Sequence, residues 1–271
     1  MRSSAINIDT LALLLGYLLL IAPIFFILHF KIKLKKKLLV SLIRMTLQLL
    51  FVGLYLQFVF DLNAWWLNIL WLVVMLVAAD ISMLTASNLR LRKFSLPIFV
   101  SLLIGTGLPL LYFIAVVLKL PNILDARYFI PIAGMIMGNS LRADIVGLST
   151  FYSSIQSSEK AYLFSLASGA SLNEAIRPYL IEAYSASLAP TIATMSTIGL
   201  VSLPGMMTGI ILGGTDPGVA IKYQIAIMIA IFTGTAIAVI MGILLTVKTS
   251  FTKFGTLDTD IFNLKNMGYL D

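Results

Sequence analysis

Among the ionisable and amide side chains inside the long apolar stretches of this sequence, where such groups are costly, seven are candidates for a functional role. They are Arg44, Gln48, Asp80, Asn139, Arg142, Asp144 and Gln224. An ionisable group among apolar residues usually pairs with another polar group or faces a water-filled cavity. The set therefore indicates two kinds of chemistry, namely ion pairing between neighbouring segments and passage of a polar solute between them.

Arg44 and Asp80 are predicted to form an ion pair. Each lies about two helical turns inside an apolar run, and residues 61–64 alone join the two runs, so we expect the side chains at similar depth. Gln48 follows Arg44 by one helical turn and is placed to satisfy a remaining guanidinium donor. In the alternative, Arg44 extends its side chain to the nearer polar surface.

Asn139, Arg142 and Asp144 form a second polar group near the end of another apolar run. Arg142 and Asp144 are two residues apart, so they do not share a helix face and are expected to reach different partners. One interpretation of the group is gating or substrate passage. The other is anchoring at the membrane interface.

Metal-ligating residue types are sparse. The chain has no Cys, a single His (His29) and 12 Met. A lone His without Cys makes a poor metal site, and thioethers bind soft ions such as Cu(I) rather than hard cations. The Met residues are therefore predicted to fill apolar packing. Carboxylates, amides and carbonyls would be the transient ligands of any hard cation that passes.

Residues 204–209 interrupt a further apolar run with Pro204, Gly205, Met206, Met207, Thr208 and Gly209. Proline removes a backbone donor and clashes with the previous helical turn. Irregular backbone at membrane depth is tolerated only where it is buried in protein or lines a cavity. Broken helices of this kind mark binding sites in many transporters. The segment is interpreted either as part of a pathway or hinge, or as a kinked helix used for packing.

Seven apolar runs must position these side chains, and they cover residues 11–30, 38–60, 65–86, 96–118, 129–145, 188–213 and 221–247. About 20 apolar residues suffice to cross a bilayer core of roughly 30 Å as a helix. The hydrophobic fraction of 59% exceeds the value of about 45–50% that is usual for soluble domains. The sequence therefore predicts an all-α polytopic integral membrane protein with seven transmembrane helices, forming one domain over residues 1–271.

Basic residues fall in alternate connections between the runs. Lysines are dense at 31–37, Arg90, Arg92 and Lys93 follow the third run, and residues after the last run are again basic. Short loops rich in Lys and Arg stay cytoplasmic. We therefore expect an outside N-terminus and a cytoplasmic tail, about 248–271, in a bacterial inner or plasma membrane. Topology and anionic lipid then explain the net charge of +7, and nucleic acid is not an expected partner.

Residues about 153–186 are too polar to span and are predicted to form a cytoplasmic helix-turn-helix between the fifth and sixth crossings. Gly169 suits the left-handed position that ends a helix. Ser171 is placed to cap the next helix, and Glu174 to complete a capping box. The segment is interpreted either as an interfacial linker on lipid headgroups or as a docking element for a cytoplasmic partner.

Small residues recur every four positions in the last run, at Ala230, Gly234, Ala238 and Gly242. Such a stripe lets another helix approach closely. The contact is expected either within the subunit or across a dimer.

Several sequence blocks resemble transport proteins. One is similar to the EAA loop of ABC transporter permeases and contains Gly169, Ala170, Ser171, Glu174 and Ala175. Where that loop usually has an acidic residue, this chain has Leu163. Longer blocks resemble the Fet-type iron-export ABC permeases and read RMTLQLLFVG (44–53), IPIAGMIMGNS (130–140), LASGASLNEA (166–175) and LVSLPGMMTGIILGG (200–214), with DP at 216–217 and YQ at 223–224. Together they are spread in order over residues 44–224.

The resemblance implies a permease subunit that exports iron or another metal ion with a separate cytoplasmic ABC ATPase. It implies that the ATPase docks on Glu159, Gly169, Ala170, Ser171, Glu174 and Ala175. The ATPase would use ATP and Mg²⁺, while this chain would bind no cofactor. Because ABC transporters carry two ATPases and each chain supplies one docking loop, a permease homodimer is also implied.

Apart from this resemblance, the sequence itself indicates that the chain does not bind and hydrolyse ATP. The sequence has no G-x-x-x-x-G-K-[ST] loop to cradle nucleotide phosphates. It also has no polar stretch of about 100 residues that could fold as a nucleotide-binding domain. We therefore do not expect an enzyme. Two other functions stay open, namely a gradient-driven secondary carrier and a non-transporting membrane scaffold for a cytoplasmic partner.

Overall fold

The computed structural model describes residues 8–87, 89–258 and 261, and this part of the chain folds into nine helices. In chain order they are α1 (Thr10–His29), α2 (Lys35–Leu62), α3 (Trp65–Ala86), α4 (Leu91–Val117), α5 (Ala126–Ser157), α6 (Glu159–Ala167), α7 (Leu172–Thr197), α8 (Gly205–Leu212) and α9 (Pro217–Ser250). Helix α1 tightens to a 3₁₀ turn at Tyr17–Leu20, and α4 ends in a π-helical turn at Phe113–Val117. The all-α prediction is confirmed for these residues.

Within the described residues, five helices are long and apolar enough to cross a membrane, namely α1, α2, α3, α4 and α9. The chain is therefore a multi-pass membrane protein. The fifth predicted run, 129–145, lies inside the longer and more polar α5. The sixth, 188–213, is not one helix, because the backbone becomes extended at Ile198 and helix resumes only at Gly205. The count of seven crossings and the orientation stay predictions.

Helices α1 and α2 form a hairpin at one side of the bundle, where the hydroxyl oxygens of Tyr17 and Thr46 are 2.5 Å apart. Among the described residues of the hairpin, only Val59 is buried. Helix α2 packs on the bundle near its C-terminal end, where the rings of Tyr55 and Trp71 are 4.4 Å apart. The rest of the hairpin surface is apolar and exposed, which suits contact with lipid chains.

The small-residue stripe of α9 lies inside the chain, against α4 and α5. Ala230, Gly234, Ala238 and Gly242 are all buried. A Cβ added at Gly234 would lie 2.5 Å from the Ile136 side chain of α5. The sequence left open whether the stripe contacts a helix of the same subunit or a helix across a dimer. The structure shows the contact within the subunit.

Two apolar clusters fill the two ends of the bundle. One contains Phe94, Phe151 and Tyr162 and joins α4, α5 and α6. The other contains Phe113 and Phe129 and lies around the connection from α4 to α5. Lipid chains are as apolar as these side chains, so close fit rather than removal from water stabilises the helix contacts at membrane depth.

Helices α6 and α7 form the predicted helix-turn-helix. Gly169 has a φ of 93°, and Ser171 and Glu174 form the predicted capping box at the start of α7. Two boundaries differ from the predicted segment of 153–186. Residues 153–157 complete α5, and α7 continues without a break to Thr197, with Pro178 and Pro190 inside it. The cytoplasmic location of this unit stays a prediction.

Candidate functional site

A cavity of about 220 Å³ opens between α5, α7 and α9, and several polar side chains line it. Its lining includes Asn139 and Arg142 of α5, Ser187, Thr191 and Thr194 of α7, and Met228 of α9. We call this cavity the polar cleft. Two of the three residues in the polar group that the sequence identified on α5 therefore meet in one cavity.

Arg142 supplies the positive charge of the polar cleft. It lies halfway along the 32-residue α5, about 24 Å from the first residue of the helix at 1.5 Å per residue. Its side chain is exposed, and it has no ion-pair partner among the described residues. The sequence placed Arg142 near the point where the helix leaves the membrane, but α5 continues to Ser157.

Helix α7 contributes hydroxyl groups that the sequence reasoning missed. Ser187 donates to the carbonyl three residues earlier at 2.8 Å, and Thr194 donates to the carbonyl of Pro190 at 2.9 Å. Both hydroxyl protons are thus used on backbone oxygens, whereas Thr191 has no side-chain hydrogen bond in the part of the chain that the structure describes. The spacing of these residues, four and then three positions, is the helical signal that could have identified them.

A second cavity, of about 560 Å³, follows the same side of α5 toward the first residue of that helix. Its lining includes Tyr128, Pro131 and Met135 of α5, Met206 and Ile210 of α8, and Tyr223 of α9. Met135 lines this second cavity, and Asn139, one helical turn further along α5, lines the polar cleft. The Asn139 side-chain amide donates to the Met135 carbonyl at 2.8 Å. Residues 128, 131, 135, 139, 142 and 146 form one face of α5, which we call the α5 stripe.

Asp80 is buried, but it does not pair with Arg44. Its carboxylate accepts a hydrogen bond from the Ser95 hydroxyl of α4. Arg44 is exposed on α2, as is Gln48, and neither has a side-chain partner within residues 8–87 and 89–258. Helix α2 packs on the bundle only from about Tyr55 onward, well past Arg44. The predicted Arg44–Asp80 ion pair is therefore wrong.

Asp144 lies in the core behind the polar cleft. Its side chain is 1% exposed, and neither carboxylate oxygen has a hydrogen-bond partner among the described residues. A Cβ added at Gly242 of α9 would lie 3.7 Å from Asp144 Oδ1 and 3.5 Å from Ser101 Oγ. Gln224 is likewise buried on α9, and its side-chain oxygen has no partner in the described part of the chain. Both residues are therefore in the packed interior and outside the two cavity linings.

The interruption around Pro204 is larger than the sequence indicated. Helix α7 has ended at Thr197, and Pro204 is the N-cap of α8 rather than a kink within a helix. Gly205 to Gly209 are helical, Thr208 donates to the Pro204 carbonyl at 3.2 Å, and Met207 is buried. Met206 lines the second cavity. The intervening residues include Leu200 and Val201, whose side chains are 92% and 81% exposed.

Five of the six predicted docking residues lie at or next to the turn between α6 and α7, whereas Glu159 is the first residue of α6 and lies at the other end of that helix. Glu159, Gly169, Ser171 and Glu174 are exposed and Ala170 is half-buried, but Ala175 is buried in the apolar core. Ala175 therefore supports the turn and is not available on its surface. Phe164 of α6 is 75% exposed beside this turn, and sequence reasoning did not single it out. We call Gly169, Ser171 and Glu174, together with Phe164, the turn surface.

Hydrogen bonds make the turn rigid. The Ser171 amide and hydroxyl donate to Glu174 at 2.8 and 2.7 Å. These bonds, first from the side chain and then from the backbone of Ser171, hold the pKa of Glu174 below its ordinary value. The carboxylate is thus the stable form of the cap at neutral pH.

Helix α6 is held against residues that follow α9. Tyr162 is buried and donates to the carbonyl of Gly255. Burial, and secondly the neighbouring Tyr179, raise the pKa of Tyr162 to about 12, so its hydroxyl stays a donor at neutral pH. Lys93 and Asp258 form an ion pair at 2.5 Å in the same region. Helix α6, on one side of the turn surface, is therefore supported by packing against the residues that follow α9.

Residues suited to a resident metal do not gather in the described part of the chain, where no group of three or more His, Cys, Asp or Glu side chains could hold an ion. His29 stacks on Phe25 with ring centroids 5.7 Å apart. The site therefore consists of a polar cleft with one cation, a neighbouring cavity with two Met side chains, and a helix that joins the cleft to the turn surface.

The sequence matches one protein family over nearly all of the described residues. That family is described as "Uncharacterised protein family (UPF0014)", and the match covers residues 10–251. No solved structure matches the chain.

Three relatives span most of the chain. The UPF0014 membrane protein slr1647 of Synechocystis is 36% identical over 197 residues, which cover 73% of this chain and 76% of the relative. Protein ALUMINUM SENSITIVE 3 of Arabidopsis thaliana is 31% identical, with 86% and 84% covered. The probable iron export permease protein FetB of Escherichia coli is 30% identical, with 89% and 92% covered. The resemblance to the Fet-type permeases is thereby confirmed, and the chain belongs to the UPF0014 family of membrane proteins.

Proposed function

We propose that this chain is the membrane-spanning permease subunit of an ABC exporter that moves iron or another metal ion out of the cytoplasm. A separate ABC ATPase would hydrolyse ATP with Mg²⁺, and this chain would bind no cofactor and catalyse no reaction of its own. Its similarity to the probable iron export permease of Escherichia coli over 89% of the chain supports the substrate class. The blocks that resemble ABC permeases support the energy source.

One structural observation carries the proposal, namely that α7 runs from the turn surface to the polar cleft as a single helix. It begins at the capping box of Ser171 and Glu174 and carries Ser187, Thr191 and Thr194 into the cleft. Its 26 residues span about 39 Å at 1.5 Å per residue. An ATPase bound at the turn would thus be connected to the cleft by one continuous helix, which suits an exporter driven from the cytoplasm.

In this proposal the α5 stripe lines the solute route. A solute would enter the polar cleft between α5 and α7 and continue into the second cavity beside Met135 and Met206. The segment from Pro204 to Gly209 would act as the movable wall of that cavity, because extended backbone separates it from α7. A homodimer would supply the two docking turns that a pair of ATPases requires.

Reconstitution tests the proposal. The permease and its co-expressed ATPase are inserted into vesicles, and movement of radioactive iron is followed with and without ATP. The matched control is the same complex with an ATPase unable to hydrolyse ATP. We expect iron movement that requires hydrolysis, together with ATPase activity that rises on addition of substrate. Iron movement that is independent of the ATPase would contradict the proposal.

A second candidate, the gradient-driven carrier, is favoured by Asp144. Ionisable groups at membrane depth are used as proton relays in many carriers, and both Asp144 oxygens lack partners among the described residues. The same vesicles separate the two functions. Movement driven by an imposed pH gradient without ATP, and abolished by Asp144→Asn, would favour the carrier.

A further inference from the structure

The charges that line the polar cleft do not suit a free metal cation. Arg142 contributes a guanidinium group, and none of the described residues that line the cleft is acidic. Asp144, two positions along α5, is buried behind it rather than exposed to it. An unpaired positive charge repels a cation at close range, and the sites of hard cations usually include carboxylate oxygens.

The same groups suit an oxyanion. A guanidinium presents five donors in a planar fork that matches the two oxygens of a carboxylate or phosphate. Asn139 has a second amide hydrogen beyond the one donated to Met135. Thr191 has a hydroxyl with no side-chain hydrogen bond in the described part of the chain. Arg142, Asn139 and Thr191 thus offer donors from two helices to one cavity.

The size of the cleft also limits the ligand. Its volume of about 220 Å³ is below the range of roughly 300–1,000 Å³ that holds drug-sized ligands. A single carboxylate-bearing or phosphate-sized group fits such a space. The adjoining cavity of about 560 Å³ provides room for the remainder of a larger solute along the α5 stripe.

We propose that the polar cleft binds a small oxyanion, a polycarboxylate or phosphate, and that a metal crosses this chain as its complex with that anion. The inference deepens the proposed function and rests on it for the direction and energy of transport. The binding site itself does not depend on the ATPase. Binding and transport can therefore be measured separately.

The binding experiment uses the purified full chain in detergent and calorimetric titration with citrate, with inorganic phosphate and with ferrous chloride. Citrate or phosphate should bind to the wild type. Arg142→Gln should weaken that binding by roughly tenfold to a hundredfold, the loss expected for a charge-assisted hydrogen bond. Arg142→Lys should retain part of the anion binding, because the positive charge is kept. It should not retain all of it, because the planar guanidinium with its paired donors is lost. Arg177→Gln, on the exposed surface of α7 and outside the cleft, is the matched control and should bind as the wild type does.

Three results would overturn the inference. One is binding of ferrous ion with none of either anion, and another is anion binding that survives in a monodisperse Arg142→Gln protein. The third concerns the source of the oxyanion. Titration is repeated in nanodiscs of phosphatidylcholine and of phosphatidylglycerol, and loss of citrate binding in the anionic lipid alone would assign the cleft to a lipid headgroup.

A transport arm separates this inference from the proposed function. Vesicles that contain the ATPase are supplied with ferrous chloride or with ferric citrate. We expect ATP-dependent movement of the citrate complex and its loss in Arg142→Gln. Movement of free ferrous ion that is unchanged by Arg142→Gln would overturn the inference and leave the exporter intact. Arg142-dependent citrate binding without ATP-dependent transport of any iron form would contradict the exporter and leave the oxyanion-binding site supported.

Discussion

The backbones of Gly105 on α4 and Ala238 on α9 are in direct contact. A Cβ added at Gly105 would lie 2.6 Å from the Cβ of Ala238 and 2.9 Å from its Cα. Real side chains do not approach this closely, so the two helices can hold this separation only with glycine at position 105. The contact fixes α9, and with it the wall of the polar cleft that Met228 provides.

Gly105→Ala is therefore expected to destabilise the bundle. An overpacked core typically loses about 1–3 kcal/mol, because the backbone of α9 cannot move as a side chain can. Gly107→Ala is the matched control on the same helix, since no atom lies within 4 Å of its added Cβ and alanine favours helix by up to about 1 kcal/mol. Thermal unfolding in one detergent should show a lower midpoint for the first variant only. Equal midpoints would disprove the close contact.

Asp80 should be energetically coupled to Ser95 and not to Arg44. Asp80→Ala and Ser95→Ala each remove one side of a buried hydrogen bond, so the double variant should be milder than the sum of the two. Coupled neighbours usually show about 0.5–3 kcal/mol of interaction energy. In the parallel cycle with Arg44→Ala, whose side chain is exposed, the effects should add. A non-additive Asp80–Arg44 cycle would contradict the structure.

Gly169→Val should weaken capture of the ATPase without preventing membrane insertion. The φ of 93° at Gly169 costs a residue with a Cβ about 1–2 kcal/mol, and a β-branched residue is the least suited. No atom obstructs the added side chain, so the effect would come from the backbone alone. Gly169→Asn is the control, because asparagine tolerates this conformation. Co-purification of the ATPase should fall for the first variant and persist for the second, and equal recovery would count against a role for the turn.

The capping box should make the turn sensitive to acid. The folded-state pKa of Glu174 is lowered, so its stabilisation is complete above the unfolded-state value of about 4.3. It is lost as the pH falls through the lower folded-state pKa, since protonation then removes the charged acceptor. The difference in unfolding midpoint between the wild type and Glu174→Gln should shrink in this acid range. A difference that stays constant down to pH values well below about 4 would show that the carboxylate charge is irrelevant.

Local features of the fold could be predicted from the sequence because the interacting residues are near each other along the chain. Gly169, Ser171 and Glu174 lie within six positions, and the side chains of Ser171 and Glu174 accept hydrogen bonds from backbone amides within the same turn. Helix ends of this kind need no knowledge of the rest of the molecule. The all-α class likewise followed from the length of the apolar runs.

Contacts between helices could not be predicted in the same way. The predicted Arg44–Asp80 pair rested only on the similar depth of the two residues in the membrane. Depth does not give the lateral distance between two helices. That distance follows from the packing of α2 on the bundle, which begins near Tyr55. The hydroxyl groups of the cleft were missed for a related reason. Ser187 and Thr191 lie among apolar residues, and only the position of α5 opposite them shows that they line a cavity.

The bond from Tyr162 to the carbonyl of Gly255 has a consequence for biosynthesis. These residues are 93 positions apart, and α7, α8 and α9 are all made between them. Chains fold from the N-terminal side as they leave the ribosome, so α6 emerges long before the segment that supports it. The support of α6 would be complete only after α9 has been inserted and the residues beyond it have folded back. In the proposed function, a nascent or truncated chain would lack this support beside its docking turn, and ATP hydrolysis would be confined to complexes of permeases whose insertion has finished.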